Sequence, residues 1–172
     1  MNQRRIRPDR DLYYCHMALA VAERGTCLRR RYGAVITNGD MTEVVSTGYA
    51  GAPRETDNCI DRGTCAREAL GANPGDRYDL CRSVHAEMNA IIHAARREMI
   101  GGNLFLAGAD TKTGELKSDA DACRLCKCVI INAGIENVFV LVAPNEVKRI
   151  NVRSDWIDRQ HEVLDPMPGG GY

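Results

Sequence analysis

The sequence predicts an α/β domain, with a mixed β-sheet and helices packed on its faces. Three observations lead there. A helical apolar pattern near the start is followed by two β-rich runs close enough to pair as an antiparallel hairpin. Farther on, a strand, an apolar helix and a second strand follow one another, an order that calls for a right-handed crossover and makes those strands parallel. The length of 172 residues and the 44% hydrophobic content suit one buried core. We read a single domain over residues 10–165, with flexible ends at 1–9 and 166–172.

The elements follow in order. Leu12, Cys15, Leu19 and Ala22 recur at helical spacing between Asp11 and Arg24, and Gly25 supplies a stop. "YGAVITNGDMTEVVSTGY" reads as two strands around Asn38, Gly39 and Asp40, which tolerate the positive φ of a tight turn. Residues 51–82 hold three cysteines and little apolar pattern; so long a segment inside a compact domain is either pinned down or functional. From Val84, the residues Met88, Ile91, Ile92, Ala95 and Met99 form one helical stripe closed by Gly101 and Gly102. "NLFLAG" is a strand, "ADTKTGELKSDADA" a polar stretch, "CRLCKCVIINAG" a helix ending at Gly134, and "NVFVLVA" the strand after it. Residues 146–165 add a last strand or helix around Trp156, and "PMPGGGY" is a tail.

Composition narrows the function. Net charge is zero and aromatics are 5%, so the totals show no sign of the broad basic face or stacking platforms of a nucleic-acid binder, and a small-molecule substrate is expected. The N-terminal arginines have no apolar stretch behind them, and no run of eighteen apolar residues occurs, which argues against export and membrane insertion and for a cytoplasmic protein. In a reducing compartment eight cysteines suggest metal or chemistry before disulfides.

The chemistry concentrates in two short stretches, "SVHAEMNAI" and "ACRLCKC". Cys123 and Cys126 are three apart, about 60° around a helix, so both thiolates can face one ion, and a helix start favours thiolate over thiol. His85 holds the corresponding place on the other helix. Two cysteines and one histidine make three corners of a zinc tetrahedron and leave the fourth open for catalysis. Glu87, about 200° around a regular helix from His85, is poorly placed as a ligand but able to reach water at the open corner from the side. Cys128 points elsewhere and reads as a buried apolar residue. His-x-Glu followed by Cys-x-x-Cys is the signature of zinc-dependent nucleobase deamination, in which the ion activates water for attack on the amino-bearing ring carbon and glutamate carries the protons.

The chain resembles the cytidine deaminase superfamily, and within it the deoxycytidylate (dCMP) deaminases, through "TCLRRRYGAVI", "STGYAGAP", "CRSVHAEMNAI" and "CRLCKCVIINAGI", over roughly residues 10–142. The resemblance implies a three-layer α/β/α sandwich around a five-stranded mixed sheet. It also implies hydrolysis of dCMP to dUMP and ammonia, supplying dUMP for thymidylate synthesis. A homohexamer, allosteric activation by dCTP with Mg2+, and inhibition by dTTP belong to the same expectation.

Three departures stand out. Ala122 replaces the proline usual before the cysteine pair, Ala50 replaces an asparagine that contacts the nucleotide sugar, and residues 110–121 are longer than usual beside the pocket. They leave open the same chemistry on cytidine, dCTP, a purine or a nucleic-acid base. A nucleic-acid editing protein and a non-catalytic zinc scaffold are the remaining alternatives. Cys27, Cys59, Cys65 and Cys81 are candidates for a second, structural zinc that would pin the 51–82 segment, since some dCMP deaminases carry an extra site. Arg24 and Arg29 match basic positions near the nucleotide in relatives and are candidate phosphate ligands. Arg30 and Arg31 read as a solvated face, and His16, His93 and His161 receive no role.

Overall fold

The computed structural model describes residues 7–73 and 77–165; the expected C-terminal tail and most of the expected N-terminal one lie outside them. Helix α1 (Arg10–Ala22) leads into strands β1 (Arg30–Thr37) and β2 (Val44–Tyr49). The 51–82 segment contains two one-turn helices, α2 (Cys59–Arg62) and α3 (Ala66–Ala69), and a 3-10 turn at Tyr78–Leu80. Then come α4 (Ala86–Ile92), α5 (Arg96–Met99), β3 (Asn103–Asp110), α6 (Arg124–Ala133), β4 (Asn137–Ala143) and β5 (Glu146–Asn151). A π-helical turn at Val152–Ile157 and α7 (Gln160–Val163) close the described chain. No helix among the described residues is long and apolar enough to cross a membrane.

The five strands lie in the order β2-β1-β3-β4-β5. β3 and β4 are parallel, with Leu104 opposite Val138, and the other neighbours are antiparallel. The mixed sheet expected from the strand–helix–strand order is therefore present, and the period-two alternation of its strands builds two cores. Val35, Phe105, Ala107, Phe139 and Leu141 face α1 and pack against Tyr14, Cys15 and Ala18, with Phe105 and Phe139 stacked at 4.8 Å. Ala34, Ile36, Leu104, Leu106, Val138 and Val140 point the other way, toward α4, α6 and Trp156. Helices on both faces complete the three-layer α/β/α sandwich.

Two local expectations are corrected. The β1–β2 connection is not a tight turn at Asn38–Asp40: it spans residues 38–43, and the positive φ, 57°, falls on Met41. The Asn38 side chain decides this by accepting from the Thr42 and Glu43 amides at 2.9 and 3.1 Å, which closes a wider loop. Gly39 is required instead for close approach, because a Cβ there would lie 2.8 Å from the Gly101 carbonyl. The single helix expected from Val84 to Met99 breaks after Ile92, which is exposed rather than part of the stripe. Ala95 re-caps the chain, its amide donating to Glu98 Oε2 at 3.0 Å, and this starts α5 and turns Met99 into the core. The last segment, foreseen as strand or helix, contains both, and Trp156 is buried.

Candidate active site

Gly48 is what allows the site to form. A Cβ at this position of β2 would fall on the backbone of Ala86 and Ala90, so glycine lets α4 lie directly against the strand. The Gly51–Val84 bridge and the Asn89 side chain, which donates to the Tyr49 carbonyl at 2.8 Å, fix the start of that helix over the end of β2. His85 is its N-cap, with extended backbone (φ −69°, ψ 154°). Cys123 is the N-cap of α6 in the same conformation (φ −64°, ψ 165°), and Cys126 is buried in the first turn.

The two helix starts converge. His85 Nδ1 lies 3.5 Å from Cys123 Sγ and 3.3 Å from Cys126 Sγ. Among the described residues this is the group that brings three ligand atoms within 4.8 Å of one another. With Zn–N near 2.0–2.1 Å and Zn–S near 2.3 Å, the N···S edge of a tetrahedral site is roughly 3.5 Å, so the spacing and the donor set both fit zinc. Cys123 is held as thiolate, lowered to about 4, first by the hydrogen bond from Cys126 and then by His85 against the cost of burial. That hydrogen bond and burial push Cys126 up. Burial works against a charged His85, but its contacts with Cys123 and Glu87 outweigh that and raise it. Such crowding of acidic groups in one buried spot is what a dication relieves.

Glu87 sits in the first turn of α4, 5% exposed, the buried carboxylate among the described residues. Because His85 is a cap with extended backbone, the 200° of a regular helix does not separate them, and Glu87 lies beside the donors rather than behind them. Burial raises its carboxyl above the usual range.

His85, Glu87 and Cys123 line an open cleft together with Arg29, Arg30, Arg67, Tyr78 and Asp121. Of the two arginines proposed for phosphate, Arg29 lines the cleft, whereas Arg24 is exposed and does not. Arg30, expected on a solvated face, lines it too, since β1 begins there and Tyr32 holds its side chain. Ala50 is 6% exposed on the wall and brings no polar side chain to it. Ala122 keeps the amide that a proline would lack and donates it to Asp121 Oδ1 at 2.8 Å.

Both irregular segments are anchored and both reach the site. Ile60 N–H ties the 51–82 segment back by donating to the Thr26 carbonyl at 3.3 Å, and Arg82 donates to the Asp57 carbonyl at 3.2 Å within the segment. The 110–121 stretch folds onto the end of β3 through the Ala109–Leu116 bridge and delivers Asp121 to the cleft. Cys27, Cys65 and Cys81 line the cleft as well. The Cys59 thiol is raised by burial and by the nearby Cys27, Cys81 and Cys65, although these four do not form a group within the 4.8 Å of the main site. Cys128 is partly exposed rather than buried and is no part of that group. Arg67 and Tyr78 escaped the sequence reading because their segment has no periodicity to place them.

Comparison with known proteins agrees with this geometry. The model of the cytidine and deoxycytidylate deaminase zinc-binding region matches residues 8–142. The chain is 36% identical over 138 residues to a deoxycytidylate deaminase of Schizosaccharomyces pombe, covering 80% of this chain and 38% of that protein, so it spans well under half the length of that relative. It is 34% identical over 137 residues to the deoxycytidylate deaminase of Mycobacterium phage D29, covering 77% of this chain and 94% of that one. The fold is similar to dCMP deaminase from the cyanophage S-TIM5, crystallised in complex with dCMP and dUMP, with a TM-score of 0.54 and 19% identity over 79% of this chain and 83% of that chain. It is also similar to a cytidine deaminase from Burkholderia pseudomallei, with a TM-score of 0.50 and 15% identity over 81% and 91% of the two chains.

Proposed function

This chain belongs to the cytidine and deoxycytidylate deaminase zinc-binding family, and from that premise we propose that it hydrolyses dCMP to dUMP and ammonia. The observation that carries the proposal is one cleft lined by His85, Cys123 and Glu87 together with Arg29 and Arg30, with Cys126 buried against His85 and Cys123. His85 Nδ1 and the Cys123 and Cys126 thiolates would hold a zinc ion, which would supply the Lewis acidity that makes water a nucleophile near neutral pH. Glu87 does the proton work: its carboxylate takes a proton from the attacking water, delivers it to the ring nitrogen, and passes the next to the departing amine. The helix caps hold the donors in place, so little reorganisation is needed as charge develops. Arg29 and Arg30 offer guanidinium donors to a phosphate.

The same reading carries further proposals. A homohexamer activated by dCTP with Mg2+ and inhibited by dTTP would make this a regulated source of dUMP for thymidylate synthesis. A cytoplasmic setting would keep the thiolate ligands reduced. Cys27, Cys59, Cys65 and Cys81 are proposed to hold a structural zinc, supported by the lining of one cleft by Cys27, Cys65 and Cys81 and by their nearness to Cys59. Elemental analysis tests that part: two zinc ions per chain support it and one ends it.

The main test is ammonia release from dCMP by zinc-loaded protein, with and without dCTP and Mg2+, beside Glu87→Ala. Release that disappears in the variant is expected. If zinc-loaded wild type leaves dCMP untouched, the second reading takes over, that the same chemistry acts on cytidine, dCTP, a purine or a nucleic-acid base. The small, buried Ala50 in the cleft wall is the observation that favours it.

A further inference from the structure

We infer that Tyr78 is a positioning residue for the substrate heterocycle, its ring walling the cleft beside the metal donors while Arg67 holds that ring in place. The inference rests on the deaminase reading of this cleft and adds a residue that reading does not use. Tyr78 opens the 3-10 turn late in the 51–82 segment. Its ring meets His85 edge to face, with centroids 5.3 Å apart and planes at 78°. The Arg67 guanidinium lies 4.7 Å from the centroid of the same Tyr78 ring. Arg67 is itself 6% exposed and donates from Nη2 to the Asn73 carbonyl at 2.9 Å.

A guanidinium is among the groups least often found buried, and one that packs on an aromatic face recovers part of the cost of leaving water. Here that contact also fixes the plane of the ring. Tyr32 and Tyr78 are the two aromatic residues of the cleft. Tyr32 is engaged with Arg30, whereas Tyr78 touches a metal donor. Tyr78 lines the same cleft as Cys123, Arg29 and Arg30 and meets His85 on one side and Arg67 on another. A heterocycle brought to His85 in this cleft has the Tyr78 ring beside it. An aromatic wall restricts the tilt of a flat heterocycle and offers it a contact that any base can use.

The test measures binding without turnover. The full-length, zinc-loaded chain carrying Glu87→Gln is the parent, and Tyr78→Ala, Tyr78→Phe and Arg67→Met are added to it singly. Calorimetry gives affinities for dCMP and deoxycytidine, with zinc content and circular dichroism recorded for each variant. Tyr78→Ala is expected to weaken both ligands in the same proportion, by about tenfold or more. Tyr78→Phe is expected to recover most of that affinity and Arg67→Met to fall between. A Tyr78→Ala protein that binds dCMP as tightly as its parent overturns the inference, and so does a loss confined to dCMP, which would place the ring at the phosphate. If Tyr78→Ala does not fold, Tyr78→Leu against Tyr78→Phe asks the same question, since leucine keeps bulk without an aromatic face. Failure of the deaminase reading appears separately, as wild-type protein that releases no ammonia from dCMP. A parent that binds neither ligand overturns both.

Discussion

His85 and Cys123 occupy the same structural position on two different helices. Each is an N-cap with extended backbone, and their donor atoms meet 3.5 Å apart. The coincidence of the two caps brings together a group that could hold a metal ion. Replacing either residue by alanine removes one corner of the tetrahedron. His85→Ala and Cys123→Ala should each bind about one zinc fewer per chain than wild type, retain under about 1% of turnover and melt earlier, since metal binding is linked to folding. Elemental analysis and thermal melts of the two variants check this.

Glu87 should behave differently, because it is proposed to move protons and is not among the three ligand atoms that converge. Glu87→Gln keeps the volume of the buried side chain and should retain zinc while losing roughly 10²–10⁴-fold in kcat. Zinc content measured on the same sample as the kinetics separates it from the ligand variants. A glutamine variant that loses its zinc would make Glu87 a ligand instead.

Arg29 and Arg30 line the cleft and Arg24 does not. Charge-assisted contacts to phosphate predict that Arg29→Ala and Arg30→Ala each raise KM for dCMP by about tenfold or more, with far smaller effects on deoxycytidine, which has no phosphate. Arg24→Ala should leave both unchanged. Steady-state kinetics with the two substrates decides, and equal effects on both would place these arginines elsewhere in the reaction.

Gly48 has no room for a side chain, because a Cβ would strike the α4 backbone. Gly48→Ala should destabilise the fold by about 1–3 kcal/mol and, because α4 carries His85 and Glu87, lower zinc affinity with it. Denaturant melts with and without added zinc report both effects.

Cys15 is fully buried under the sheet, and burial pushes its thiol up from 9.0 to about 12. The thiol should resist alkylation in native protein and react only after unfolding. Its folded value lies above its unfolded one, so its contribution is complete below pH 9 and declines as pH rises from 9 toward 12. Cys15→Ala should therefore flatten the alkaline fall in stability, by up to about 1.4 kcal/mol per pH unit. Parallel urea melts of the two proteins between these pH values measure the difference.

Much of the fold was legible along the chain, because alternation and helical period are local properties. The strands around Val35, Phe105 and Phe139 and the helix after Cys123 can be read from neighbours two to four residues away. The donors His85, Cys123 and Cys126 were legible for a related reason: each sits at the first residues of a helix, and a helix start can be found from sequence. The rest depended on contacts between distant residues. Ile92 has the right period for the core, yet the capping of Ala95 by Glu98 ends the helix first and leaves it in solvent. Arg29 and Arg24 look equivalent in sequence, but Arg29 stands just before β1, where the Thr111 amide donates to its carbonyl, and lines the cleft, whereas Arg24 does not. Arg67 and Tyr78 lie in a segment with no period to read, and it takes the folded chain to press Tyr78 against His85. A repeating pattern names the face a residue will bury, but a cleft wall made of irregular backbone exists only after the elements on either side have packed.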